Sequence, residues 1–283
     1  MAHEEDTFEG YGGTVLYRRS WHAQGDFRAV FVIGHGFGEH IGRYGHLATH
    51  LNANGITVHG FDYRGHGRSP GQRGHILSWV EYREDLRAFL KLVFSLDSGR
   101  PVFLYGHSMG SLVVLDYVIE YPDGLSGFIV SGSALVPAGV ASPFRVALAR
   151  LLSRVKPNFK LDLALDPASL SHDPEVVNAY RNDPLVHGFA SARWGTEAME
   201  AIERIKSRIA EIHLPVLFVH GGSDKINLPE GSTWLHEHVS SPDKTLRIYP
   251  NSFHEPHNDL DRDEVYRDIV DWIGKEITVT NVK

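Results

Sequence analysis

The stretch Val102-Phe-Leu-Tyr-Gly-His-Ser-Met-Gly110 decides the fold of this 283-residue chain. Its first four residues have the largely apolar composition of a buried strand, and residues 112–119 have that of a buried helix. Between them, Gly106-His-Ser-Met-Gly110 matches G-x-S-x-G, the pattern of a sharp strand-to-helix turn that exposes a serine oxygen above a sheet. The sequence therefore predicts a nucleophile at Ser108.

A second match to the same pattern, Gly67-Arg-Ser-Pro-Gly71, lacks this setting. The residue after the nucleophile must donate its backbone N–H to the oxyanion of the reaction. Met109 has that N–H, whereas Pro70 has none. We therefore interpret Ser69 as a loop residue and assign one oxyanion donor to the Met109 N–H.

Outside this stretch, short apolar runs alternate with longer amphipathic segments, which predicts an α/β protein. We expect a mostly parallel central sheet flanked by helices. The predicted strands cover residues 29–33, 56–61, 102–105, 128–130, 216–219 and 246–249. The longest predicted helices cover residues 79–96, 112–119 and 265–273.

The alternation stops between residue 135 and about residue 207, where prolines separate short helical pieces. A connection in an α/β fold has about two to six residues, so this segment is predicted to be an inserted helical cap. The predicted organisation is a core of residues 1–135 and 208–283 with a cap of residues 136–207.

One helix of this cap has an apolar face flanked by basic residues, and two interpretations remain open. Either the face packs on the core domain, or it contacts lipid or lines an acyl site. The face comprises Phe144, Leu148, Leu151, Leu152 and Val155.

A second oxyanion donor is expected in the loop after an earlier strand. His35-Gly-Phe-Gly38 follows the predicted strand 29–33, and its glycines let the backbone come close to a substrate carbonyl. We assign this donor to the Phe37 N–H.

In folds with this turn, the nucleophile is followed along the chain by an acid and then by a histidine base. Asp224 lies just after the predicted strand 216–219 and is the expected acid. His254 and His257 both follow the last strand, so chain order alone does not choose between them. The acid would hold the imidazole tautomer and stabilise the imidazolium.

Composition and motifs exclude several other classes of protein. A net charge of −7 argues against a nucleic-acid binder, and no apolar run is long enough to span a membrane. The acidic start of the chain is not that of a secretory signal, and the absence of cysteine fits a reducing cytoplasm. No metal motif is found, and Glu39 replaces the last glycine of a dinucleotide-binding pattern. We therefore expect no metal and no cofactor.

Several motifs together resemble serine hydrolases of the α/β-hydrolase fold, in the branch of monoacylglycerol lipases and lysophospholipases. The resemblance covers most of the chain, although Ser111 stands where the family often has a second glycine after the turn. The similar segments are His35-Gly-Phe-Gly-Glu-His-Ile-Gly-Arg-Tyr44, Asp62-Tyr-Arg-Gly-His-Gly-Arg-Ser69, Gly106-His-Ser-Met-Gly110, Asn182-Asp-Pro-Leu185, Gly222-Ser-Asp224 and His254.

The resemblance implies hydrolysis of fatty-acyl esters, above all of monoacylglycerols to glycerol and fatty acid, without a cofactor. It implies that His254 is the base and that Glu39, Arg43, Tyr180 and His257 form a polar pocket for the glycerol end. For Glu39 and Arg43, a salt pair at a helix start is an equally good account. A lysophospholipase, a general carboxylesterase and a non-catalytic ligand-binding member are the alternatives. Contact of the cap with a membrane surface is a further expectation, and the oligomeric state is not indicated.

Overall fold

The computed structural model describes residues 3–23, 25–139, 143–163 and 165–280. The strands are β1 (Glu4–Glu9), β2 (Val15–Trp21), β3 (Ala29–Gly34), β4 (Ile56–Phe61), β5 (Val102–His107), β6 (Gly127–Ser131), β7 (Lys160–Asp162), β8 (Phe189–Ser191), β9 (Val216–Gly221) and β10 (Lys244–Tyr249). The helices are α1 (Gly45–Ala53), α2 (Val80–Leu96), α3 (Met109–Glu120), α4 (Pro143–Val155), α5 (Pro174–Asn182), α6 (Ala192–Arg208), α7 (Glu230–His238) and α8 (Arg262–Thr280).

The main sheet has eight strands in the order β1-β2-β4-β3-β5-β6-β9-β10. The last six of these strands are parallel, whereas β1 and β2 form an antiparallel hairpin at one edge. The predicted α/β class with a mostly parallel sheet and flanking helices is therefore confirmed. The hairpin was not among the predicted strands, because its two strands are less apolar than the central ones.

Helices cover both faces of this sheet, which explains the continuous apolar runs of its central strands. In β3, Val30 and Val32 pack into the core layer that includes α2, α3 and α6. Phe31 and Ile33, which alternate with them, pack into the opposite layer with α1 and α8. Because successive side chains of a strand point to opposite faces, both sets of positions must be apolar.

The segment between β6 and β9 contains α4, the small antiparallel pair β7 and β8, α5 and α6. Helix α6 joins this segment to the main core, because its Ala198, Ala201 and Ile205 are buried in the same layer as α3. The predicted cap limits, residues 136 and 207, stay a prediction. Among the described helices, none is both long and apolar enough to cross a membrane.

The described side chains on the apolar face of α4 do not pack on the core domain. For these side chains, the interpretation of α4 as a helix packed on the core is therefore wrong. Leu148, Leu151 and Val155 are exposed, by 44%, 57% and 70%. The helix is instead held by its other side, where the Ser153 hydroxyl lies 2.8 Å from that of Thr196 in α6. The side chain of Phe144 lies outside the described residues, and Leu152 is half-buried.

The start of α3 passes so close to the end of β3 that only glycine fits there. A Cβ atom on Gly110 would lie 2.2 Å from the carbonyl oxygen of Gly34 and 2.6 Å from that of His35. Both obstacles are backbone atoms, which move only if the strand or the helix moves. The contact therefore fixes α3 against the sheet.

We expect Gly110→Ala to lower the free energy of unfolding by about 1–3 kcal/mol or more, because the added methyl group overpacks a rigid contact. Gly195→Ala is the matched control, since Gly195 also lies in a helix and nothing lies within 4 Å of its added Cβ. That control should gain about 0.5–1 kcal/mol from its higher helix propensity. Urea unfolding of both variants measures the difference, and equal stabilities would contradict this account of the contact.

Candidate active site

Ser108 occupies the sharp turn between β5 and α3. Its φ of 53° and ψ of −118° make it the one non-glycine residue with positive φ among those that the structure describes. Such backbone costs about 1–3 kcal/mol and persists where the surroundings impose it. Here the Ser108 N–H donates to the Ser131 carbonyl at 2.9 Å. A Cβ on Gly106 would lie 2.4 Å from the Gly110 carbonyl oxygen, which accounts for the first glycine of the motif as the contact with β3 accounts for the second.

Asp224 and His254 are brought together by the loops that follow β9 and β10. The Asp224 Oδ2 atom lies 2.8 Å from Nδ1 of His254 and 3.1 Å from Nε2 of His220. Its Oδ1 accepts the backbone N–H groups of Ile226 and Asn227, at 2.8 and 3.0 Å. With four hydrogen bonds, the carboxylate is satisfied and its orientation towards His254 is fixed.

The two groups shift each other's ionisation. Burial alone would raise the pKa of Asp224, but the neighbouring His254 and His220 outweigh it and hold that pKa well below its usual value. Burial alone would lower the pKa of His254, but the Asp224 carboxylate more than offsets this effect. The pKa of His254 therefore lies above its usual value. The pair therefore consists of an ionised acid and an imidazole of increased basicity.

Ser108 and His254 both line one small cavity of about 30 Å³, whose wall includes residues of the segment between β6 and β9. That volume holds a water molecule or two but no acyl chain. Among the described residues, no hydrogen bond joins the Ser108 hydroxyl to His254, as is common where such a bond tightens only with substrate bound. The other lining residues are Gly36, Phe37, Glu39, Arg43, His107, Leu165, Leu170, Tyr180, Ile226 and Glu255.

The two predicted oxyanion donors flank this cavity. Within the described part of the chain, neither the Phe37 N–H nor the Met109 N–H donates a hydrogen bond. The Phe37 ring packs on Trp194 of α6, with ring centres 4.3 Å apart. The next residue, Gly38, accepts the His187 N–H at 2.8 Å. The loop that carries Phe37 is therefore braced by the segment between β6 and β9.

At the polar end of the cavity, one guanidinium faces two carboxyl groups. Arg43 binds Glu255 through both terminal nitrogens, at 2.6 and 2.7 Å, and also contacts Glu39. The ring of Tyr180 lies 4.7 Å from the guanidinium carbon. Burial raises the pKa of Glu39 despite Arg43, and the charge of Glu255 adds to the effect. Burial also acts on Glu255, but Arg43 outweighs it and lowers the pKa of Glu255 to about 2.

Glu39 also stabilises the loop that carries Phe37 from within. One of its oxygens accepts the Gly36 N–H at 2.5 Å and the Tyr44 hydroxyl at 2.8 Å. The salt pair with Arg43 at a helix start is present as well. Glu39 therefore combines a structural contact with a place in the cavity wall.

His257 does not line the cavity. It is fully buried behind it, where its ring stacks on Tyr44 at 5.0 Å and its Nδ1 lies 3.3 Å from the Tyr105 hydroxyl. Burial lowers the pKa of His257 to about 4. Its Nε2 is buried without a hydrogen-bond partner among the described residues. Direct contact between His257 and an alcohol in this cavity would need a rearrangement of the wall.

Ser69, in the second G-x-S-x-G match, lies in a structural loop. Its hydroxyl donates to the Asp62 carbonyl at 2.5 Å and accepts the Tyr17 N–H at 3.0 Å. The first hydrogen bond closes the loop on itself and the second joins the loop to β2, and the side chain is buried. The hydroxyl is therefore fully engaged.

Sequence reasoning missed three residues of the site. Glu255 directly follows the expected base, and a charged residue next to the base could have indicated a residue of the site. His220 and Asn227 flank Asp224 by four and three residues. Their contacts depend on how the loop folds, so no sequence pattern pointed to them. Among the described residues, no group of three or more His, Cys, Asp or Glu side chains is placed to hold a metal ion.

Comparison with known proteins gives a consistent result. Residues 25–261 match the family described as serine aminopeptidase, S33. The chain is 36% identical to the monoacylglycerol lipase of Mycolicibacterium smegmatis, over 95% of this chain and 96% of that protein. It is 30% identical to human monoglyceride lipase, over 93% of this chain and 88% of that protein.

Solved structures agree with these sequence matches. The monoacylglycerol lipase of Paleococcus ferrophilus superposes with a TM-score of 0.84 at 37% identity, covering 92% of this chain and 99% of that one. A soluble variant of monoglyceride lipase from Saccharomyces cerevisiae, solved with a substrate analogue, gives 0.88 at 26% identity, covering 98% and 95%. The chain therefore belongs to the serine aminopeptidase S33 family of α/β-hydrolases, among relatives that are monoacylglycerol lipases.

Proposed function

We propose that this protein is a serine hydrolase that cleaves monoacylglycerols to glycerol and free fatty acid. The observation that carries the proposal is the convergence in one cavity of a serine on a strained turn and a histidine that is hydrogen-bonded to a buried carboxylate. Ser108 is the proposed nucleophile, His254 the base and Asp224 the acid. The similarity to monoacylglycerol lipases over nearly the whole chain supports the substrate class.

In the proposed mechanism, Ser108 Oγ attacks the ester carbonyl while Nε2 of His254 accepts its proton. The Phe37 and Met109 N–H groups stabilise the oxyanion, because both are free to donate. His254 then protonates the departing alcohol. Water, activated by His254 in the same way, releases the fatty acid and restores Ser108. No cofactor takes part in these steps.

The glycerol end of the substrate would bind at Arg43, Glu39, Glu255 and Tyr180. Carboxylate oxygens accept hydrogen bonds from alcohol groups, and Tyr180 adds a hydroxyl. His257 lies behind this wall and would contact the alcohol only if the wall rearranged. Because two carboxyl groups engage the one guanidinium, no positive charge is left for a phosphate group. This arrangement favours a neutral glycerol ester over a lysophospholipid.

The acyl chain requires more space than the cavity offers. Leu165, Leu170 and Ile226 supply its apolar lining, and they would have to separate to admit a chain. Substrate entry is therefore proposed to displace the cap from the core.

The exposed face of α4 is proposed to bring the enzyme to lipid. Leu148 and Leu151 offer apolar area, and the exposed Arg150 and Arg154 have no ion-pair partner among the described residues. Such a combination suits transient binding to an anionic membrane surface. We propose a cytoplasmic enzyme that contacts membranes peripherally through this helix.

Ser108→Ala should abolish labelling by a fluorophosphonate probe and reduce turnover by about 10⁶-fold, because the nucleophile is lost. The fold should be retained. Ser69→Ala is the matched control and should keep most activity, since Ser69 does not line the cavity and only holds its loop to β2. Labelling and turnover of both variants test the assignment, and an inactive Ser69→Ala beside an active Ser108→Ala would reverse it.

The pH dependence follows from the raised pKa of His254. Only the neutral imidazole accepts the Ser108 proton, so kcat/KM should rise with pH through an apparent pKa above the ordinary value of 6.5. Asp224→Asn removes the carboxylate that raises this pKa, so in that variant the acid limb should move to lower pH while the rate falls. A pH titration of kcat/KM measures both, and an unchanged midpoint in the variant would refute the coupling.

Replacing Leu148 and Leu151 together by Ser should weaken sedimentation with anionic vesicles and slow hydrolysis of vesicle-borne long-chain monoacylglycerol. A soluble short-chain ester should be cleaved at the normal rate. Each buried methylene is worth about 0.8 kcal/mol, so the two side chains contribute a measurable part of the binding energy. Leu96→Ser removes an equally exposed leucine from α2 and should change neither assay. Equal losses on both substrates would indicate a structural role instead.

A further inference from the structure

The side chain of Asn227 contacts the proposed nucleophile but takes no part in the proposed mechanism. It lies three residues after Asp224 and is 4% exposed. Its Nδ2 atom lies 3.4 Å from Ser108 Oγ. Among the described residues, this is the one hydrogen bond that reaches the Ser108 hydroxyl oxygen.

The orientation of this amide is fixed by a second contact. Nδ2 donates to the Gly132 carbonyl oxygen at 2.9 Å. A carbonyl only accepts hydrogen bonds, so the amide nitrogen, and not its oxygen, must face Gly132 and Ser108. The nitrogen carries two hydrogens, one for each acceptor.

Hydrogen bonds also fix the backbone of Asn227. Its N–H donates to Oδ1 of Asp224 at 3.0 Å, and its carbonyl accepts from Nε2 of His220 at 3.1 Å. His220 is in turn fixed by Ser232 of α7, whose hydroxyl lies 2.7 Å from Nδ1. The amide is therefore a rigid donor that is anchored to the acid loop and to the end of β6.

We propose that Asn227 positions the nucleophile by donating its second amide N–H to Ser108 Oγ in the free enzyme. This inference rests on the proposed function, since it assumes that Ser108 attacks. The donor occupies one lone pair of the hydroxyl oxygen. The hydroxyl proton stays free to be donated to His254, and the other lone pair stays free for the ester carbonyl.

The advantage of such a donor is geometric. A serine hydroxyl without a partner distributes over three staggered rotamers, and only one of them suits attack. At 3.4 Å the bond is long for an N–H···O contact, so it is weak enough to yield when the carbonyl arrives. Loss of a neutral hydrogen bond of this kind should slow attack by about three- to tenfold.

The test compares Asn227→Leu, which keeps most of the volume and loses the donor, with Asn227→Ala, which loses both. The second-order rate of fluorophosphonate labelling and kcat/KM for a p-nitrophenyl ester should fall together by about three- to tenfold in both variants. Inhibition by a non-hydrolysable 1-O-alkyl glycerol ether should be unchanged, because that ligand binds without attack. Asn178→Leu, an exposed change on α5, is the control and should match wild type.

Three results would overturn the inference or its basis, and they are distinguishable. If the wild-type protein is not labelled at all, the proposed function fails. If wild type is labelled and both Asn227 variants react at the same rate as wild type, the positioning role fails. If the ether inhibits the variants less by the same factor as labelling slows, Asn227 supports the site as a whole and does not position Ser108.

Discussion

The left-handed backbone at Ser108 is the constraint on which the rest of the site depends. It requires glycine at 106 and 110, because strand β5, helix α3 and the end of β3 approach within contact of one another there. The same turn sets the direction of the Ser108 hydroxyl and leaves the Met109 N–H without an acceptor among the described residues. One local conformation thus supplies the proposed nucleophile and one proposed oxyanion donor.

The second determinant is the balance of charge at the polar end of the cavity. Arg43 is buried against Glu39 and Glu255, so its charge is fully used within the protein. Burying an unpaired charge would be costly, and the bidentate contact with Glu255 avoids that. The same network attaches the loop that carries Phe37 to the loop that carries His254. The proposed selectivity for a neutral alcohol and the alignment of the proposed catalytic groups therefore share one set of contacts.

Much of the fold could be predicted from the sequence, because continuous apolar strands indicate a sheet that is covered on both faces. The order Ser108, Asp224, His254 follows from strand order, since the carboxyl ends of parallel strands share one edge. The position of His257 could not be predicted, because its burial depends on a stack with Tyr44, more than 200 residues away. Exposure of α4 was equally undecided, since an amphipathic pattern does not say what its apolar face meets.

We propose that the site cleaves neutral glycerol esters because Arg43 is neutralised by its two carboxyl partners. The most direct measurement is the ratio of kcat/KM for a monoacylglycerol to that for a lysophospholipid of the same acyl chain, both presented in the same detergent micelles. We expect a strong preference for the monoacylglycerol that persists across acyl chain lengths. Equal rates on the two esters, or faster cleavage of the lysophospholipid, would contradict it.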